Sequence, residues 1–472
     1  MAGKALRTLT FVSLLLLSGA AVALAAEEGA SGGGFVPPVW TIVPFVGMLL
    51  SIALFPLVAP HFWEHHFGKI SAVWLAIAVI LMFISVPGDV SFVEAYGHEF
   101  FKTYEEYIAF IVLLGSLFVI SGGIYISGNL PGIPLVNTGI IVVGTILASV
   151  IGTTGAAMLL IRPLIRANQD RRSQVHVVLF FVFLVCNVGG SLTPIGDPPL
   201  FLGFLQGIPF EWTLGLFPEW LFTSVILIAA FYAMDTFLAR RENLQRESGV
   251  RISVKIQGGA NFLLLLGVVV AVIMSGTLHF DTVIPFFGLG VLHIPALMRD
   301  GAQIGLAAIS MAITAKVIRE SNHFNFEPIK EVAYLFIGIF TTMIPALMLL
   351  NARGGELGLD SPLAYFWVTG FLSAFLDNAP TYLTFLATAM GSLGIDQAVD
   401  MTVAGQPENI LRGISLGAVF MGAMTYIGNG PNFMVKAIAE GAGIKMPSFF
   451  GYLAYSVVIL LPVFFLMTLI FL

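Results

Sequence analysis

The chain has 472 residues, of which 58% are hydrophobic and only 10% charged; the net charge is -6 and the mean hydropathy +0.95. No water-soluble domain hides that much apolar surface, and the long apolar runs differ from the alternating strands of about ten residues that build outer-membrane barrels, so an all-α polytopic membrane protein is expected. A single cysteine, Cys186, excludes an internal disulfide and a cysteine metal cluster.

In chain order, Lys4 and Arg7 precede a short apolar run that ends in Ala23-Leu24-Ala25. Residues 1–26 therefore read as a cleaved signal peptide that leaves the mature N-terminus external; the alternative is an uncleaved first helix. Spans follow at about 39–58 and 72–86, separated by "PHFWEHHFGK". His61 and His65 have the i, i+4 spacing of a metal pair and His66 adjoins them, but in a short surface loop without companion ligands they imply no metal site. The acidic stretch "GDVSFVEAYGHEFFKTYEE" belongs outside, and a third span, 107–126, returns the chain to the cytoplasm. Two basic clusters, Arg162/Arg166/Arg171/Arg172 and Arg240/Arg241/Arg246/Arg251/Lys255, fall on the cytoplasmic side, as the positive-inside rule requires. Asp235, ahead of the second cluster, reads as an interfacial charge at a helix end. Further spans are expected at 261–277, 304–317, 332–350 and 452–472. Lys316, Arg319 and Lys330 lie inside, Glu327 and Glu331 form a solvated helix start, and the acidic loop around Asp400 lies outside.

Two segments resist this count. After the apolar run 135–150, "GTTGA" leaves only about ten apolar residues before the arginines, too few to cross a core of about 30 Å. That pattern predicts a re-entrant hairpin, and "FLSAFLDNAPTYLTFLATAMG" predicts a second, entering from the opposite face. The complete expectation is about ten transmembrane helices plus these two hairpins. The halves also repeat. "GSLTPIGDPPLF" from Gly190 aligns without gaps on "GAMTYIGNGPNF" from Gly422, and the hairpins align with Thr153 opposite Asn378. By the loop count the first copy starts outside at Glu106 and the second inside at Glu331, so the repeats are inverted.

Inverted repeats, each with one hairpin and one helix broken in mid-membrane, are the sequence signature of a secondary transporter whose site lies at the repeat interface. Pro194 removes a donor, Gly196 permits a non-helical angle, and Pro198 or Pro199 can open a second half-helix. Asp197 and its counterpart Asn429 are good N-caps, and the capping role is favoured for Asp197; an ionisable group at this depth also marks an ion or proton pathway. Asn378 is expected to cap the return arm of the second hairpin, which would leave the Asp377 carboxylate free as the preferred titrating group. Walker A, GxSxG and HExxH sequences are absent, which argues against an ATP-driven pump or an intramembrane hydrolase; the chain reads as a non-enzyme without a cofactor.

"GGSLTPIGDPPLFLGF" together with "LDNAPTYLTF" resembles the ion-transporter superfamily of NhaD-type sodium/proton antiporters, arsenite permeases and citrate/dicarboxylate transporters, nearest to its NhaD-like and citrate-transporter branch. The chain departs from typical NhaD proteins in having Pro198-Pro199-Leu200 where they have threonines. The resemblance implies a homodimer in a bacterial-type inner membrane, with hairpins and broken helices forming a mobile transport domain. It implies ion- or substrate-binding residues at Thr153, Thr154, Asn187, Thr193, Asp197, Asp377, Asn378, Thr381, Thr425 and Asn429, with Asp377 and Asp197 holding Na⁺. The expected function is Na⁺/H⁺ antiport, since a carboxylate can hold Na⁺ or H⁺ in turn; sodium- or proton-coupled citrate or dicarboxylate uptake is the alternative. Na⁺, H⁺ or a carboxylate, and the lipid bilayer, are thus the expected partners, with no nucleic acid. The divisions expected are a signal peptide (1–26), N-terminal scaffold helices (27–104), a first repeat core (105–210), linking helices (211–330), a second repeat core (331–441) and a C-terminal helix (442–472).

Overall fold

The computed structural model describes residues 35–242, 253–277, 283–286, 290–403 and 405–472. The expected signal peptide and the basic positions Arg246 and Arg251 lie outside the described residues. Proline, which costs nothing where an amide has no helical partner anyway, stands in the first two positions of most of the helices. In order these are α1 (Val43–Val58), α2 (Pro60–Ser85), α3 (His98–Ser121), α4 (Pro134–Ile151), α5 (Thr153–Ala167), α6 (Val175–Leu184), α7 (Pro198–Leu205), α8 (Phe217–Arg241), α9 (Ala260–Thr277), α10 (Ile294–Ile313), α11 (Lys316–Ser321), α12 (Glu327–Arg353), α13 (Pro362–Phe375), α14 (Asn378–Leu393), α15 (Gln406–Met421), α16 (Gly430–Gly441) and α17 (Phe449–Phe471). Among the described residues 9 helices are long and apolar enough to cross a membrane, so the fold is an all-α polytopic membrane protein.

The element order runs twice through one pattern. A long helix (α3, α12) is followed by a helical hairpin (α4/α5, α13/α14), a broken helix (α6–α7, α15–α16) and a closing helix (α8, α17). The broken helices form the interior: 89% of the window Val175–Leu192 is buried, against 17% of His65–Ser85 on the largely exposed α2. Lipid cannot satisfy open backbone, so only a segment wrapped in protein can be broken.

With no water to drive helices together, close backbone approach has to supply the contact, and α15 shows how. Gly413 and Gly417, four residues apart, press on the backbone of α13, where added Cβ atoms would lie 2.4 Å from the Pro362 carbonyl oxygen and 2.5 Å from that of Phe366. Gly417→Val is expected to separate the two helices and destabilise the protein by about 1–3 kcal/mol, the usual range for overpacking, measured as a lower melting temperature in detergent.

Several expectations need correction. The third span is α3, preceded by a π-helical turn at Val93–Gly97, and so begins well before residue 107; residues 125–129 form a strand, β1 (Tyr125–Asn129), paired antiparallel with β2 (Ser253–Gln257). The span expected at 304–317 falls on α10, which starts ten residues earlier and is not among the nine described helices apolar enough to cross a membrane, because its inward face is polar: its buried residues are Arg299, Gln303 and Ser310. The histidines lie on the first turns of α2 rather than in a loop, with His65 Nδ1 2.9 Å from the His61 carbonyl oxygen. Among the described residues there is no group of three or more His, Cys, Asp or Glu placed to hold a metal ion. The boundaries drawn at 104/105 and 330/331 fall inside α3 and α12.

Asp235, near the end of α8, is fully buried within the protein: it pairs with Arg171, lies 2.8 Å from His176 Nε2 and accepts a 2.9 Å bond from Asn137, whose amide is joined in turn to that of Asn168. The root of the first hairpin is thereby fastened to α6 and α8. Arg166 fastens the return arm α5 to the β-ribbon, donating to the Ile126 carbonyl at 2.6 Å with its guanidinium over the Tyr125 ring.

Candidate functional site

The first hairpin turns at Gly152, whose φ of +80° is a conformation that favours glycine, and α5 starts at once with Thr153. The second hairpin turns without glycine, through extended Leu376 and Asp377. The two breaks match in backbone as well as sequence. Thr193 (φ -142°, ψ 156°) corresponds to Thr425 (-138°, 169°), and Asp197 (-138°, 144°) to Asn429 (-155°, 137°). Pro198 and Gly430 then open the second half-helices α7 and α16.

Each hairpin docks on the break of its own repeat. The Thr193 hydroxyl donates to the Ser149 carbonyl and the Thr425 hydroxyl to that of Ala374, residues that correspond under the alignment pairing Thr153 with Asn378. Thr153 N–H donates to the Gly196 carbonyl at 2.8 Å. Gly196 is required for close approach, not for an unusual angle as the sequence suggests. Its φ is not positive, but an added Cβ would lie 2.1 Å from the Gly190 carbonyl oxygen.

The four equivalent positions of the two tips and two breaks converge on one carboxylate. Asp197 Oδ1 accepts from Thr153 Oγ1 at 2.9 Å and Asn429 Nδ2 at 3.0 Å, and Oδ2 accepts from Asn378 Nδ2 at 2.6 Å. All four residues are at most 1% exposed. Thr153 and Asn378 are the first residues of α5 and α14, while Asp197 and Asn429 are the N-caps of α7 and α16. Four helix N-termini, each carrying a partial positive charge, thus point at a buried carboxylate that no Lys or Arg contacts among the bonds observed. One acceptor is left over: Asn378 Oδ1 is buried beside Asp197 without a partner. A cavity of about 20 Å³, the size of one water, lies alongside among Gly152, Thr153, Thr154, Ile195, Gly196 and Pro198.

A second layer holds this cluster. Asn429 Nδ2 also donates to the Cys186 carbonyl, and Asn187 donates to the Val182 carbonyl and to Asn432 Oδ1, each at 2.8 Å. Asn432 closes the loop of the second break by donating to the carbonyls of Gly422 and Thr425 at 2.9 Å. Sequence reasoning missed Asn432; the available signal was an amide in "GNGPNF" where the first repeat has Leu200.

The capping roles are the reverse of those expected. Asp197 makes no side-chain cap to its own helix, whereas Asp377 caps α14, accepting from Ala379 N–H at 3.0 Å, and Asn378 is the residue that reaches Asp197. A carboxylate two residues from the amide it caps cannot turn to a site without uncovering that amide, and the shorter reach of Asp197 to both tips wins. Thr381 is occupied by the Asp377 carbonyl at 2.8 Å and borders a separate cavity of about 140 Å³ lined by Phe45, Leu372, Leu376 and Phe385. Of the ten residues predicted, Thr153, Asp197, Asn378 and Asn429 form the cluster and Asn187 supports it. Thr193 and Thr425 dock the hairpins, Thr154 lines the small cavity, and Asp377 and Thr381 stand apart. Asp377→Asn, which replaces one good N-cap by another, is expected to change thermal stability by less than about 0.5 kcal/mol and to retain transport, whereas Asp377→Ala is expected to lose about 1 kcal/mol.

A protein-family model described as "Putative citrate transport" matches residues 36–472. A search of curated proteins finds no match.

Proposed function

The chain belongs to this citrate-transport family, and from that premise we propose that it is a cation-coupled secondary transporter in which Na⁺ and H⁺ compete for Asp197. The observation that carries the reading is the unpartnered Asn378 Oδ1 beside Asp197, with a water-sized cavity next to Thr153. With a proton on Asp197 the Asn378 amide can turn over, so that this oxygen accepts from the carboxyl O–H. Na⁺ satisfies the same oxygen together with the carboxylate and the Thr153 hydroxyl, a hard-oxygen shell of the kind a small cation takes. Both ligands use the same carboxylate, so neither binds comfortably while the other is present. Either also neutralises a carboxylate whose naked charge is costly in the membrane interior, which suppresses movement of the empty site.

On this reading Na⁺/H⁺ exchange is the simplest cycle, with the inverted repeats exposing Asp197 to either face in turn. A second reading, cation-coupled citrate or dicarboxylate uptake, is favoured by the family description and by the helix N-termini around the site, which suit a carboxylate once Asp197 is neutralised. The small cavity beside the cluster, lined by Thr153 and Gly196, has about 20 Å³, the size of a water or an ion. Reconstituted protein separates the two: Na⁺-driven proton movement without labelled citrate uptake supports exchange, citrate accumulation under a Na⁺ or H⁺ gradient supports the second reading, and neither flux refutes both.

A further inference from the structure

Outside the Asp197 cluster, one buried carboxylate sits where the half-helix α7 meets the long helix α3. Glu106, on α3, is 8% exposed and lies well inside the 29-residue helical run Val93–Ser121. Its Oε1 accepts a 2.8 Å bond from Gln206 Nε2. Gln206 is the C-cap of α7, the half-helix whose N-cap is Asp197. A single short helix therefore connects the two carboxylates, with Asp197 at its amino end and Glu106 facing its carboxyl end. The charged groups acting on Glu106 from its own helix are Lys102, Glu99 and Glu105; from α10, Arg299, Asp300 and the N-cap His293 act on the neighbouring Glu105. From α7 it meets only the neutral Gln206.

Unpartnered buried polar atoms lie on the adjoining helix. The buried face of α10, which packs against α3, carries Arg299 and, one turn on, the fully buried Gln303, whose amide nitrogen and oxygen both lack a protein partner. Buried amide groups without protein partners call for water.

We propose that Glu106 is a second proton-binding carboxylate of the transport cycle, read by α7 through Gln206; the inference rests on the Asp197 reading. Ionised, Glu106 can only accept, and it holds the Gln206 amide. Protonated, it still accepts the Gln206 amide through its carbonyl oxygen, but the bond loses its charge assistance and the new O–H seeks an acceptor of its own, so the hold of α3 on α7 weakens. The joint between α7 and α3 therefore senses a proton at a point remote from the cation.

The test is uptake of radioactive Na⁺ and of labelled citrate into proteoliposomes between about pH 5 and 9, where one controlling proton gives a limb of ~10-fold per pH unit. Glu106→Gln is expected to flatten that limb and Glu106→Asp to restore it. Gln206→Leu, which leaves the carboxylate but removes its reader, is expected to displace the limb along the pH axis. A wild-type profile in Glu106→Gln overturns the proposal; should that variant fail to insert, a wild-type profile in Gln206→Leu overturns it instead. Asp197→Asn is run in parallel. If it transports normally the Asp197 reading fails, whereas an inactive Asp197→Asn beside an unaltered Glu106→Gln removes only the second proton site.

Discussion

Asp197→Asn is expected to abolish cation-coupled flux, by on the order of a hundredfold or more, while the protein still folds and inserts. The substitution keeps the size and the ability to accept from Thr153 and Asn429, and Asn already occupies the equivalent position 429. It removes the only group in the cluster that can carry a negative charge, so neither Na⁺ nor a transferable proton is held. A hundredfold loss corresponds to about 2.7 kcal/mol, within reach of one desolvated carboxylate–cation contact. Dequenching of a pH-sensitive dye in inside-out vesicles on adding Na⁺ measures it. Normal exchange by Asp197→Asn would remove the basis of the proposed function, and a dead Asp377→Asn beside it would transfer the role to the other tip.

Gly196→Ala should be nearly as damaging for a different reason. The two glycine pairs, Gly190 with Gly196 and Gly422 with Gly428, close each break upon itself. A Cβ on Gly196 would lie 2.1 Å from the Gly190 carbonyl oxygen, and one on Gly428 2.6 Å from that of Gly422. Backbone cannot move aside as a flexible side chain can. The loop must open, and the Gly196 carbonyl that receives Thr153 N–H moves with it. Because Thr153 also donates to Asp197, the expected result is lost transport together with a destabilisation of roughly 1–3 kcal/mol, seen as a lowered melting temperature in detergent. An Ala variant with native transport and stability would mean that the break is looser than its geometry indicates.

The breaks were legible because the residues that interrupt a helix are chemically distinctive. Gly152, Pro194, Gly196, Pro198 and the tip at Asp377-Asn378 each announced an interruption, and the gapless repeat tied the two breaks to equivalent positions. What could not be read was pairing at long range. Nothing local to Asp235 reveals that Arg171, His176 and Asn137 lie against it, and the choice between Asp377 and Asn378 turned on which of two adjacent side chains faces a residue 181 positions away. Helix α10 was misplaced for a related reason: Arg299, Gln303 and Ser310 point inward while its apolar residues face outward, so a search for apolar runs starts it late. Asn432 was overlooked because a lone amide in an apolar half-helix reads as tolerated polarity until Asn187 is found opposite it.

The four helix starts around Asp197 bear on the direction of transport. Two come from each repeat, so the helix dipoles around a bound ion are matched, while the side chains are not: Thr153 and the carboxylate of Asp197 come from the first repeat, the amides of Asn378 and Asn429 from the second. On the Asp197 reading the charge that holds the ion therefore stays with one repeat throughout the cycle, and the other contributes only dipoles and amides. Net flux follows the electrochemical gradients of the coupled ions and reverses when they reverse.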